Sequence, residues 1–370
     1  MSDFQPSNFS SYNHQDQSPL FSVLPPEIRN DIYAYALTAY EDFARPHSKN
    51  TYWWRPGDRA ALRTATELLR TCRRVYNEAW LLQFALAEHC FYLTHAERAP
   101  GGRDWPRGFE ECNRLIYETY GKHRQTTTTT IPRPGCGFGL GRIRVFAQLW
   151  QLEPGKELQR ILDVPYFHAR HVAVTIRYSD FWFWEDNAPL FVRADWVNMI
   201  RLPDSVTRFS VDFEMIERRK EEVDMIARAA AEMWTFGRRD GAVLAASVDE
   251  EHISVSKWTG SSVLGYKRWV RDEVRPGQLD YHVVTVTWKL RQGATTTTAT
   301  SSGSGICPHR SHCPGLEGPR ASVPPPPFTE VASINMFQMR EAKVSLDTPA
   351  LDALLAVANY YEDWDDDSED

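Results

Sequence analysis

An α+β fold is the class this sequence predicts, and three observations carry it. Residues alternate with period two at His171–Arg177, Val206–Phe213 and His282–Leu290, the mark of strands. Between them, Glu217–Phe236 sets Val223, Ile226, Ala227, Ala230 and Trp234 on one helical face and charge on the other. Ahead of both, the chain up to Leu82 is dominated by helical spacing. At 370 residues with an apolar fraction of 42%, it can build one large domain or two ordinary ones.

Residues 1–19 are rich in Ser, Asn and Gln and read as disordered. A first helix starts at Leu24-Pro25, where Pro26 suits the opening turn because its missing N–H has no partner there anyway. Ile28, Ile32 and Tyr35 follow as an apolar stripe ending near Ala39. After a polar insert with Trp53-Trp54-Arg55-Pro56-Gly57, Asp58 is the expected N-cap of a second helix. Its stripe is Leu62, Ala65, Leu69, Cys72, Tyr76 and Ala79, running to about Leu82, with Arg63, Glu67, Arg70, Arg73, Arg74 and Glu78 opposite. This helical region extends over 20–125, with a short strand at Cys90–Leu93 and a helix near Asn113–Tyr120. A low-complexity linker occupies 126–141.

The central α+β region spans 142–292. Arg142–Leu152 fits strand or helix. His171–Arg177 reads as a half-buried strand, with Val172, Val174 and Ile176 against Ala173 and Thr175. Further strands are expected at Val243–Val248 and Val263–Trp269. Residues 293–327, a Thr/Ser/Gly tract ending in Pro324–Pro327, read as a flexible insertion. A strand at Val331–Met339 and a final helix marked by Thr348-Pro349 then return to the body over 328–361, with Leu351, Leu354, Leu355 and Ala358 as the expected buried stripe. No internal repeat is present, which excludes a solenoid.

Thirteen Trp and fifteen Tyr imply a core in which ring N–H and O–H groups find backbone partners. The formal charge is −7, but Glu362–Asp370 is an acidic tail holding seven acids and no base, so the remainder is neutral. That leaves no basic field for a nucleic-acid backbone. No apolar run is long enough for a bilayer span, and residues 1–19 lack the apolar core of a secretory signal. Six cysteines without such a signal imply reduced thiols and a cytoplasmic or nuclear setting.

Two segments carry a resemblance. Leu24-Pro25-Pro26-Glu27-Ile28-Arg29-Asn30-Asp31-Ile32-Tyr33 and Leu68-Leu69-Arg70-Thr71-Cys72-Arg73-Arg74-Val75-Tyr76-Asn77-Glu78 resemble the opening helices of a fungal F-box-like protein family of unassigned function. Arg144–Glu153, Val174–Glu185 and Glu214–Trp234 are similar to its later blocks, so the likeness covers roughly residues 20–290. It implies an F-box-like helical N-terminus packed on a mixed or antiparallel sheet. It also implies a protein partner, namely the adaptor subunit of a cullin-type ubiquitin ligase, docked by Leu24, Pro25, Ile28 and Ile32. Here Glu41–Gly57 separates the two motifs more widely than in a true F-box.

Other constellations have plainer explanations. Cys307, His309, His312 and Cys313 are zinc-ligand types, but the adjacency of His312 and Cys313 is poor spacing, and no metal or other cofactor is expected. Gly135–Gly141 lacks the Lys-Ser/Thr ending and the leading strand of a phosphate loop. Trp182 and Trp184 are candidate anchors for a partner. An enzyme or small-molecule binder would require His168 or His171 to meet Asp180, Glu185 or Asp186, without any nucleophile motif nearby. A non-enzymatic interaction module is the leading expectation. A scaffold with vestigial F-box-like helices is the third, and complete burial of Ile28 and Ile32 would be its signature.

Overall fold

The computed structural model describes residues 13–80, 82–102, 105–106, 109–111, 113–114, 142–165, 169–290, 312–319 and 331–366. The N-terminal part opens with α1 (Pro19–Ser22) and α2 (Pro26–Leu37). Pro26 and Glu27 occupy the first turn of α2, as the orphan N–H groups and the helix dipole favour. Next come the antiparallel pair β1 (Tyr40–Pro46) and β2 (Ala60–Arg63), a tight turn at Thr66–Arg70, α3 (Arg73–Ala79) and α4 (Leu82–Leu86).

The single helix expected from Asp58 to Leu82 is therefore broken. Ala60–Arg63 gives its backbone to β1, with Tyr40 opposite Arg63 and Glu41 opposite Leu62. A helix restarts only at Arg73, where the Cys72 sulfur accepts the Val75 N–H. Pairing with a remote strand overrode the local period.

The body is built on β3 (Glu88–Leu93), β4 (Arg142–Ala147), α5 (Leu149–Leu152), α6 (Lys156–Leu162), β5 (His171–Ile176), β6 (Phe191–Val192), α7 (Asp195–Met199), β7 (Arg208–Ile216), α8 (Lys220–Met233), β8 (Phe236–Gly237), β9 (Val243–Ala245), β10 (Ile253–Ser261), β11 (Val263–Leu264), β12 (Lys267–Arg268) and β13 (Gln278–Leu290). Eight of these strands make one mixed sheet, ordered β3-β4-β5-β7-β13-β9-β8, with β10 also on β13. Neighbours from β3 to β7 run parallel, and β13 lies antiparallel to β7, β9 and β10. The α+β class follows directly.

One face of this sheet presents Val145, Val174, Val211, Phe213 and Val286 to α5–α8 and forms the main core. Trp196, Trp234 and Trp288 are fully buried in it, and the Trp288 indole donates to the Trp234 carbonyl at 2.9 Å. The other face is polar, yet much of it is also buried. Thr175, Ser210, Asp212 and Glu214 all sit there. Strand β5 is thus closed on both sides rather than half-buried, because it is central and parallel.

Several expectations need correction. Val263–Trp269 is a hairpin, β11 paired with β12, turning at Gly265 with φ near +65°. Within Val331–Met339 only β15 (Ile334–Asn335) is strand, after β14 (Leu316–Glu317), and the Asn335 side chain caps α9 (Met336–Glu341). The final helix, α10 (Ala350–Asp366), extends well into the acidic tail. It buries Ala353 and Val357, whereas Leu351 and Leu355 are exposed. Residues 312–319, read as part of a flexible insertion, are docked on the body. There β14 pairs with β6, and the Trp234 indole donates to the Pro314 carbonyl. No described helix is long and apolar enough to cross a membrane.

Candidate docking surface

Helix α2 is held by an unusual face. It buries Arg29, Tyr33 and Leu37, spaced four residues apart, and turns Ile28, Ile32 and Tyr35 outward at 45%, 39% and 88% exposure. The apolar stripe visible in the sequence is the solvent side.

The hub on the buried side is Glu78 of α3. Arg29 grips its carboxylate with two N–H donors at 3.0 and 3.1 Å, the Tyr33 hydroxyl donates at 3.0 Å, and Arg74 adds a second cation at 3.1 Å. A paired guanidinium fork on a carboxylate is among the stronger polar contacts and fixes orientation as well as distance. Burial works to raise Glu78, but its bonds from Arg29, Tyr33 and Arg74 hold it below its ordinary 4.5. Burial, followed by the bond to Glu78, pushes Tyr33 up to about 12. Phe21 lies under both Arg29 and Arg74, and Tyr33, Leu37, Leu69, Val75 and Ala79 form a small separate core.

Two sequence motifs, 49 residues apart at Arg29 and Glu78, therefore meet in space. The intervening insert does not splay them. Instead it ties the module to the sheet. Arg55 donates to Glu214 of β7 at 2.7 Å, Trp258 of β10 donates to the same carboxylate, and Trp54 packs on Trp258 at 6.2 Å. The Tyr52 carbonyl accepts from Arg177 at 3.0 Å.

Around α2, Leu24 is half-buried and its carbonyl accepts from Arg29, while Pro25 is exposed. The Trp pair is divided. Trp184 is buried against Trp269 and Tyr178 and cannot anchor a partner, and this corrects its assignment. Trp182 is partly buried, with its indole N–H on Glu153 at 2.9 Å. The run bends through Phe183 at φ 52°, which puts that ring rather than Trp184 outside.

Among the described residues the acid–base grouping does not assemble. His171 starts β5 and Asp180 lies beyond its far end, roughly 17 Å along the strand. The His171 ring bonds Ser210 at 2.8 Å, and burial, with Arg142 and Arg208 adding, brings it down to about 4. Asp180 is buried on Arg177 at 2.6 Å, and Glu185 and Asp186 are exposed. His168, Cys307, His309 and Gly135–Gly141 lie outside the described residues. His312 is exposed and Cys313 is buried, and no metal-holding group of His, Cys, Asp and Glu occurs among the described residues.

No protein-family model, curated protein or solved structure matches the chain. Sequence reasoning passed over Glu78, Arg55 and Asp212. Asp212 collects Thr175, Thr285 and Arg144 from three other strands at 2.8, 2.8 and 3.1 Å. Its only signal in sequence is the polar half of the alternation Ser210, Asp212, Glu214, which looks the same as a solvated face.

Proposed function

We propose that the chain is a non-enzymatic protein-interaction module that presents the outer face of α2 to a protein partner, the adaptor subunit of a cullin-type ubiquitin ligase. Ile28 and Ile32, with Leu24 and Pro25 at the helix start, are its contact residues. The observation that supports this reading is the inverted helix. Arg29, Tyr33 and Leu37 fasten α2 from behind, so Ile28 and Ile32 are left outside although a small apolar core lies on its other face. Exposed aliphatic side chains on a rigidly held helix suit groove-type docking. The resemblance of Leu24–Tyr33 and Leu68–Glu78 to F-box-like helices supplies the class of partner, and the rest of the chain would capture a substrate. A cytoplasmic or nuclear setting goes with this reading.

Co-expression with the adaptor tests it, with wild type beside Ile28→Asp/Ile32→Asp and the fold of both checked by circular dichroism. Co-purification that is lost only in the folded double variant is the expected result. Wild type that brings down no adaptor sinks the ligase reading and returns the helices to a purely structural role.

A further inference from the structure

A cleft of about 220 Å³ opens where the β1–β2 hairpin faces the outer strands of the sheet. Leu62 and Leu86 form part of its apolar wall, while Asp58, Glu88, Arg55 and Arg144 line the rest. For scale, a dry cavity of about 150 Å³ accepts benzene.

Its charges are unequally matched. Arg144 is engaged with Glu88 and with Asp212 at 3.1 Å, and Arg55 with Glu214 at 2.7 Å. Asp58 is the exception. Among the described residues its carboxylate accepts no hydrogen bond and joins no ion pair, and burial pushes its pKa up despite the nearby Arg55 and Arg144. Asp58 is half-buried, and a carboxylate that gives up part of its hydration without a donor carries a partial desolvation cost, which an entering cationic donor would offset. Both cations on the wall already hold acids, although the Nη1 of Arg55 has no hydrogen-bond partner. Asp58 is the one charge on the wall with no ion pair, and a cation is what would pair with it.

The geometry points to a binding site for a small organic cation, an amine or amidine on an apolar body about the size of one ring. Asp58 is its counter-ion, and Leu62 and Leu86 contact its apolar part. The site is independent of the α2 face and uses none of its residues.

Ligand-observed NMR titration of the full chain with benzylamine and benzamidine tests this, with benzoate and benzyl alcohol as ring-matched controls. The two cations should bind, and the controls should bind roughly tenfold more weakly or less, the worth of one charge-assisted hydrogen bond. Asp58→Asn should weaken both cations by about the same factor while leaving the weak binding of benzyl alcohol unchanged. Leu62→Trp, on the exposed hairpin, should fill the cleft and abolish cation binding. If Asp58→Asn does not fold, Leu62→Trp decides: loss supports the site and retention overturns it. Silence from both cations, equal affinity for benzoate, or unchanged affinity in folded Asp58→Asn overturns it as well.

Discussion

Helices α2 and α8 treat the same kind of sequence in opposite ways. In α8 the apolar stripe Val223, Ile226, Ala227 and Ala230 is buried against the sheet, and most of its charge faces water. In α2 the polar or ring-bearing residues Arg29 and Tyr33 are buried with Leu37, and the isoleucines face water. The difference lies in what waits across from each helix. Opposite α8 is a wall of valine and phenylalanine from β7 and β13, where apolar burial stabilises by about 25 cal/mol per Å². Opposite α2 is Glu78, a carboxylate that can be brought out of water only with donors supplied. The orientation of α2 follows from satisfying that acid, and the apolar stripe is left exposed.

The comparison is broken most severely at α8. Ile226→Asp should cost about 4 kcal/mol or more, since it buries an unpaired charge in the main core, and the whole body should unfold together in a denaturant titration. Glu78→Ala ranks next, at about 2 kcal/mol, because it strands the Arg29 guanidinium and the Tyr33 hydroxyl at a partly exposed site. Its effect should be confined to the N-terminal module, so hydrogen exchange should accelerate in α2 and α3 while β7 and β13 keep their protection.

Acid and alkali should do the same by smaller steps. Glu78 is held below its ordinary 4.5 in the fold, so its contribution is present above that value and fades as pH falls through the lower folded value. Tyr33 is raised, so its contribution is intact below its ordinary 10 and is lost as pH climbs toward about 12. The exchange rate of α2 amides, corrected for intrinsic pH dependence, should therefore be lowest between these limits. A rate flat across the acid limb would show that the carboxylate does not hold the helix. The smallest stability change belongs to Ile28→Asp/Ile32→Asp, within about 0.5 kcal/mol per site, because both side chains already contact water. A loss of several kcal/mol would mean that these residues serve the fold.

These two helices also mark how far the sequence could be read. The stripe of α8 and the alternation of β7 and β13 were legible because each element's period and its burial agree. For α2 the period shows the apolar stripe but not that the opposite face, Arg29, Tyr33 and Leu37, is the buried one. The decisive partner, Glu78, is 49 residues from Arg29, and nothing local announces the pairing. The same blindness hid β2, a strand whose Leu62 happened to fit a helical register, and β10, whose Ser254, Ser256 and Thr259 look like loop until they line up on β13. Trp184 failed as an anchor because the backbone turns at Phe183, a left-handed residue that no periodicity predicts. The α2 residues proposed for docking could be named from the motif alone. The cleft beside Asp58 could not, since its walls come from five separate stretches of chain.

The most direct measurement is a hydrogen–deuterium exchange footprint of the purified chain with and without the purified adaptor. New protection is expected across residues 24–35, strongest on the Ile28 and Ile32 turns, with the sheet unchanged and no footprint in Ile28→Asp/Ile32→Asp. Protection centred elsewhere, or a footprint that survives the double variant, would contradict it.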